Sequence, residues 1–150
     1  MIIVLQKVKE AAVTVGGEIT GKVGSGICLL VGIEKGDTEE NARYLARKIA
    51  ELRIFPDREG KMNRSVLDVQ GEILAVSQFT LAGSVKKGRR PSFDNAEDPS
   101  LAEPLFQYFV DQIRDYGLKV ETGVFAASME VALVNEGPVT FILRRGGALS

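Results

Sequence analysis

Glu72-Ile-Leu-Ala-Val-Ser-Gln-Phe-Thr-Leu81 opens as a core strand and closes as a row of polar groups. Ile73, Leu74, Ala75 and Val76 form a short apolar run of the kind a buried strand shows. Ser77, Gln78 and Thr80 follow where that run gives out. Two hydroxyls and an amide at a strand end, beside the glycine-bearing loop Ala82-Gly83-Ser84, are polar groups that a rigid scaffold can hold out to a ligand. The same pattern also suits a strand reaching the surface, with Ser and Thr bonding nearby backbone. Both readings stand on this stretch alone.

Upstream, residues 2–9 and 11–15 are β-rich, Gly16-Gly17 is a turn, and Ile19–Val23 is a short strand before the turn Gly24-Ser-Gly26. Ile27–Ile33 is a continuous apolar run, read as a strand buried on both faces. Four closely spaced strands joined by glycine turns predict an antiparallel or mixed sheet. Asp37, with Glu40 three residues on, marks a capping box. Ala42, Leu45, Ala46, Ile49 and Leu52 then trace the apolar stripe of a helix that ends near Pro56. Downstream, Ser100 and Glu103 mark a second capping box. Ala102, Leu105, Phe106, Phe109, Ile113 and Tyr116 follow on one helical face, with Pro104 in the first turn and Gly117 as the stop. Lys119–Glu121, Met129–Val134 and Val139–Arg144 complete the strands. The expected fold is α+β: one domain over residues 1–150, with a curved, barrel-like, mostly antiparallel β-sheet and two flanking α-helices. Gly146–Ser150 reads as a short tail.

Composition narrows the function. The length suits one domain, and 45% hydrophobic residues supply a core. A net charge of −1 is wrong for a general nucleic-acid coat protein, although it permits a local basic patch. No run approaches ~18 apolar residues, so no membrane span is expected. The single Cys28 reads as a small buried hydrophobe, and the chain reads as cytosolic. Histidine is absent altogether, which removes every Ser-His-Asp or Cys-His arrangement and every His-based metal site. No metal and no cofactor is expected. Chemistry is left to carboxylates, hydroxyls, Lys, Tyr, backbone amides or the substrate itself.

A second segment, Asn135-Glu-Gly-Pro-Val-Thr140, interrupts two apolar strand-like runs and by local pattern is a hairpin turn. Taken together, Ser77-Gln-Phe-Thr-Leu81 and Gly137-Pro-Val-Thr140 resemble the paired signature of the D-aminoacyl-tRNA deacylase family. The likeness extends to Gln6-Lys7-Val8, Lys87-Gly-Arg-Arg-Pro-Ser-Phe93 and Thr122-Gly-Val-Phe-Ala-Ala-Ser-Met129, and so covers essentially the whole chain. One segment departs from the family pattern, which commonly has Gly-Ala-Asp or Gly-Ala-Glu between Phe125 and Met129. Here the residues are Ala126-Ala127-Ser128.

The resemblance implies a barrel-like sheet, a homodimer, and hydrolysis of the ester that joins a D-amino acid to the 3′-terminal adenosine of tRNA. It implies Ser77, Gln78, Phe79 and Thr80 as the catalytic segment. Gly137 and Pro138, joined by a cis peptide bond and followed by Val139 and Thr140, are implied as a chiral filter reaching the partner's site. Phe125 and Met129 are implied as the wall of the adenosine pocket, with core packing as their alternative. An aminoacyl ester is already a reactive acyl donor, so the missing histidine is no obstacle. Positioning and oxyanion stabilisation matter more than a strong base. The ribose 2′-hydroxyl is expected to help activate water, an expectation that cleavage of a 2′-deoxy-ended tRNA at the normal rate would rule out. Thr80 is expected to position rather than attack, because no base for a threonine nucleophile is evident nearby. Lys86, Lys87, Arg89 and Arg90 lie in the long irregular region Ala82–Pro99, where such loops are often functional. They read either as a solvated charge run or, with an RNA substrate, as phosphate contacts.

Two rival classes remain. A general ester or peptide hydrolase using Ser77 or Thr80 predicts activity on acyl esters lacking adenosine. A non-enzymatic RNA-binding barrel predicts that neutralising Lys86–Arg90 abolishes function while changes at Gly137-Pro138 matter little. Neither requires the two motifs together.

Overall fold

The computed structural model describes residues 1–146, so the tail after Gly146 lies outside the described residues. β1 (Ile2–Val15) is the seam of the sheet. Its second half pairs antiparallel with β2 (Glu18–Val23), and its first half pairs antiparallel with β3 (Gly26–Gly32), Ile2 opposite Gly32 and Val8 opposite Gly26. The expected break after residue 9 is instead a bulge within one strand. Val8 and Glu10 pair with consecutive residues Asn135 and Val134, which leaves Lys9 as an extra residue. Past the bulge, Ala11 and Val13 share a core with Val8, while Ile3 and Leu5 belong to another. One strand therefore serves two cores.

α1 (Glu39–Glu51) buries Ala42, Leu45, Ala46 and Ile49, the stripe read from the sequence. Its cap is Thr38, in a box with Asn41, rather than Asp37 with Glu40. Asp37 is engaged elsewhere, because its carboxylate accepts from the Met1 ammonium and from the Glu34 N–H at 2.7 Å. β4 (Phe55–Pro56) forms a two-strand ribbon with β5 (Met62–Arg64), and the segment Lys61–Gln70, left unassigned by pattern, holds β5 and the single turn α2 (Val66–Val69). β6 (Glu72–Ser77) then pairs parallel with β3, Gly26 opposite Glu72 and Val31 opposite Ser77.

α3 (Pro99–Arg114) is capped by Asp98, not Ser100. The Asp98 carboxylate accepts from Ser100 N–H at 2.9 Å and Ser100 Oγ–H at 2.6 Å, and Pro99 takes the first helical position, where no N–H is needed. Pro104 is therefore inside the helix and not in its first turn. β7 (Val120–Thr122) pairs parallel with β6. The two parallel pairings follow from the crossovers through α1 and α3, since parallel neighbours need such connections. The sheet is thus mixed.

β8 (Glu130–Arg144) is one strand, where a hairpin was expected. It runs antiparallel to β1, Thr14 opposite Glu130 and Ile2 opposite Arg144. Gln6 pairs with Thr140 and Val8 with Asn135, so Lys7 alone faces Glu136, Gly137, Pro138 and Val139, which stand out of the ladder as a bump. At the far edge β2 approaches β7. A Cβ on Gly21 would come 2.5 Å from the Thr122 carbonyl oxygen, so only glycine permits this near closure of the barrel.

Two cores result. Ile27, Leu29, Ile73 and Ala75 face α1 and α3, with Leu45, Ile49, Phe106 and Phe109 opposite them. Val8, Val13, Cys28, Leu74 and Val76 fill the barrel interior. β3 and β6 are buried on both faces, as their unbroken apolar runs predict. Burial pushes the Cys28 thiol up to about 11, consistent with a packing residue. No helix among the described residues is long and apolar enough to cross a membrane.

Candidate active site

Where β6 leaves both cores, its polar end reaches an open pocket of about 790 Å³. Gln78 N–H is held by the Val31 carbonyl at 2.7 Å, which fixes the exit of the chain from the sheet. Phe79–Ala82 then forms a short 3-10 turn. The amides of Phe79 and Thr80 open that turn and so have no acceptor within it. The Gln78 Nε2 amide donates to Thr80 Oγ1 at 3.1 Å. Ser77 and Gln78 are half-buried, and Phe79 and Thr80 are exposed. All four residues line the pocket.

Phe125 and Met129 line the opposite wall, together with Ala126 and Ala127. Phe125 also packs on Phe106 with ring centroids 6.4 Å apart, so pocket wall and core contact are both roles of one side chain. A Cβ on Gly123 would come 2.5 Å from Met129 Sδ, which makes that glycine a condition for the position of Met129. Ala126 has φ +63, a left-handed conformation that glycine tolerates and alanine resists.

The rim is closed by residues that local sequence reading missed. Phe93 stacks edge-on against Phe79 at 5.1 Å. Ala96, Glu97, Asp98 and Pro99 arrive through the bridge between Glu34 and Ala96, together with Lys35 of the turn after β3. No local signal marks them, because a contact between residues some sixty positions apart brings them in. The two bonds from Ser100, side chain first and then backbone, hold the Asp98 carboxyl below its usual range.

Gly137, Pro138, Val139 and Thr140 do not line this pocket. They form the bump on β8, with Gly137 and Pro138 exposed and the bond between them cis. Asn135 staples the bump. Its Oδ1 accepts from Val139 N–H at 2.8 Å, and its Nδ2 donates to the Val139 carbonyl at 3.2 Å and to Thr140 Oγ1 at 3.0 Å. Lys7 and Glu136 pair beside it at 3.5 Å. Lys86, Lys87, Arg89 and Arg90 also lie outside the pocket. They occupy an exposed loop closed by reciprocal backbone bonds between Ser84 and Ser92 of 2.7 and 2.8 Å, which place Phe93 at the pocket rim.

The D-Tyr-tRNA(Tyr) deacylase family profile matches residues 4–144. The chain belongs to this family. It is 58% identical over 143 residues to a D-aminoacyl-tRNA deacylase of Bacillus cytotoxicus, covering 95% of this chain and 98% of that one. A D-aminoacyl-tRNA deacylase of Bacillus thuringiensis is 57% identical with the same coverage. Among solved structures, a c-Myc DNA unwinding element binding protein superposes with a TM-score of 0.91 at 43% identity, over 98% of this chain and 100% of that one. A probable eukaryotic D-amino acid tRNA deacylase superposes with a TM-score of 0.82 over 95% of this chain and 97% of its own, and at 19% identity shares the fold. Family membership thus accompanies a pocket that Ser77, Gln78, Phe79 and Thr80 line as one continuous segment.

Proposed function

We propose that the protein hydrolyses the ester bond of D-aminoacyl-tRNA, releasing tRNA and the free D-amino acid in the cytoplasm. The observation that carries this reading is the meeting of Ser77–Thr80 with Phe125 and Met129 around one pocket, in a chain of the deacylase family. The aromatic and thioether wall suits a terminal adenine, and the polar edge suits the ester. The Phe79 and Thr80 amides serve the developing oxyanion, with Ser77 and Gln78 orienting the acyl group. Thr80 positions, because its hydrogen-bond partner is an amide donor and, among the described residues, no carboxylate or amine is hydrogen-bonded to its hydroxyl.

Rejection of L-aminoacyl-tRNA is assigned to Gly137-Pro138 of a partner subunit, supported by Val139 and Thr140. Discrimination at one carbon centre needs a clash with the wrong hand, and a stapled backbone bump does not rotate away as a side chain does. The bump is exposed and absent from its own pocket, which favours service in a second copy. β8 also leaves Val134, Phe141 and Ile142 exposed by 47, 40 and 71%, an apolar strand suited to homodimerisation. Such a filter acts by exclusion, so side-chain identity matters little, and glycine, with nothing to exclude, is partly accepted. The role is proofreading in translation, with clearance of mischarged glycyl-tRNA as a corollary. Lys86, Lys87, Arg89 and Arg90 supply phosphate contacts to the tRNA body.

The test is incubation of the chelator-treated protein with D-tyrosyl-tRNA. Release of tyrosine orders of magnitude faster than spontaneous hydrolysis is expected, and release at the spontaneous rate would overturn the reading.

A further inference from the structure

Among the described residues that line the pocket, Lys35 is the only cation. It follows β3 in a turn whose backbone is pinned, its N–H donating to the Asn95 carbonyl at 3.0 Å. The acids around it are engaged with other groups. Glu34 accepts from Asn95 Nδ2 at 2.6 Å and lies 3.4 Å from the Met1 ammonium. Asp37 holds that same ammonium and the Glu34 amide. Glu97 accepts from Asp98 N–H at 2.9 Å, and Asp98 is occupied by Ser100. Among the described residues the exposed Lys35 ammonium has no carboxylate within ion-pair distance.

The pocket is therefore an aromatic wall, a polar edge and, among the described residues, one ammonium in no ion pair, beside the Glu97 and Asp98 carboxylates that are held by neutral donors. A nucleoside acylated on its ribose fills the first two and offers nothing to the third. A terminal nucleotide within RNA adds one anion close by, the phosphate on its 5′ side, across the ribose from the acylated hydroxyl. A lysine suits such a partner as a compact point charge.

We infer that Lys35 binds the internucleotide phosphate next to the terminal nucleoside and so makes the pocket selective for an RNA 3′ end over an acylated nucleoside. This rests on the deacylase reading of the pocket. It is separate from the Lys86–Arg90 loop, which lies beyond the Ser84–Ser92 closure and outside the pocket. Lys35 touches no reacting atom in this arrangement, so its effect belongs in KM and in salt dependence rather than in kcat.

The experiment compares wild type, Lys35→Ala and Lys35→Arg on D-tyrosyl-tRNA and on D-tyrosyl-adenosine, which carries the same ester and no phosphate. For Lys35→Ala, KM for the tRNA rises about tenfold, the scale of one charge-assisted hydrogen bond, with kcat little changed. The preference for tRNA over nucleoside, as a ratio of kcat/KM, falls by the same factor. The slope of log(kcat/KM) against log[salt] for the tRNA becomes shallower by about 0.7, the increment for one single-strand phosphate. Lys35→Arg retains most of the preference. An equal loss on both substrates, or no loss on either, overturns the inference while leaving the deacylase reading intact. Failure of the wild type on both substrates would instead overturn the deacylase reading.

Discussion

Thr80 and Ala126 show how much single residues decide here. The Thr80 hydroxyl accepts from Gln78 Nε2, a donor that cannot act as its base, and on the proposed reading it orients substrate rather than attacks it. Thr80→Ala is expected to lower single-turnover kcat on D-tyrosyl-tRNA by about tenfold, the worth of roughly one hydrogen bond. Complete loss of turnover, with an acyl-enzyme trapped in the wild type, would make Thr80 the nucleophile. Ala126 has a φ of +63, in the left-handed region that favours glycine. A left-handed alanine costs about 1–2 kcal/mol, of which glycine's greater unfolded-state freedom gives back roughly 0.5–1. Ala126→Gly should therefore stabilise the fold by about 0.5–1 kcal/mol in denaturant titration. A destabilised variant would mean that the loop draws its conformation from contacts of the alanine methyl.

At the scale of elements, legibility followed locality. The β6 run Ile73–Val76 and the stripes of α1 and α3 were readable because burial on both strand faces, or on one helical face, is written in neighbouring residues. The α1 cap was not readable, because Asp37, the better local candidate, is taken by an ammonium 36 residues away. β8 was misread as a hairpin for a similar reason. Gly137-Pro138 signals a turn locally, yet pairing with β1 on both sides carries the strand straight through and extrudes the segment as a bump. The site divides in the same way. Ser77–Thr80, Phe125 and Met129, named from the sequence, line one pocket, whereas Lys35 and Ala96–Pro99 join it only through the Glu34–Ala96 bridge. Asn135 gains its meaning from three bonds across the bump. Asn135→Ala is expected to reduce the preference for D- over L-tyrosyl-tRNA by about tenfold, equivalent to about 1.4 kcal/mol, with far-UV circular dichroism unchanged. An unaltered preference would show that the bump holds its shape without the staple.

At the scale of the whole molecule, the chain presents a pocket with the Gly137–Thr140 bump outside it, and the proposed filter therefore calls for a second copy. The exposed apolar side chains of β8 suit a second copy, and Ile142, 71% exposed, is the most open of them. Light scattering is expected to give twice the 16.3 kDa mass of one chain. Ile142→Glu should give a single-chain mass and lose stereoselective cleavage, because a carboxylate buried at such an interface finds no partner. A monomeric wild type with full selectivity would refute the shared site. The account stands most directly on stereochemistry, and the measurement is release of tyrosine from matched D- and L-tyrosyl-tRNA by the purified protein. Rapid cleavage of the D ester with the L ester left intact is predicted. Equal cleavage of both would remove Gly137-Pro138 as a filter and leave a general esterase.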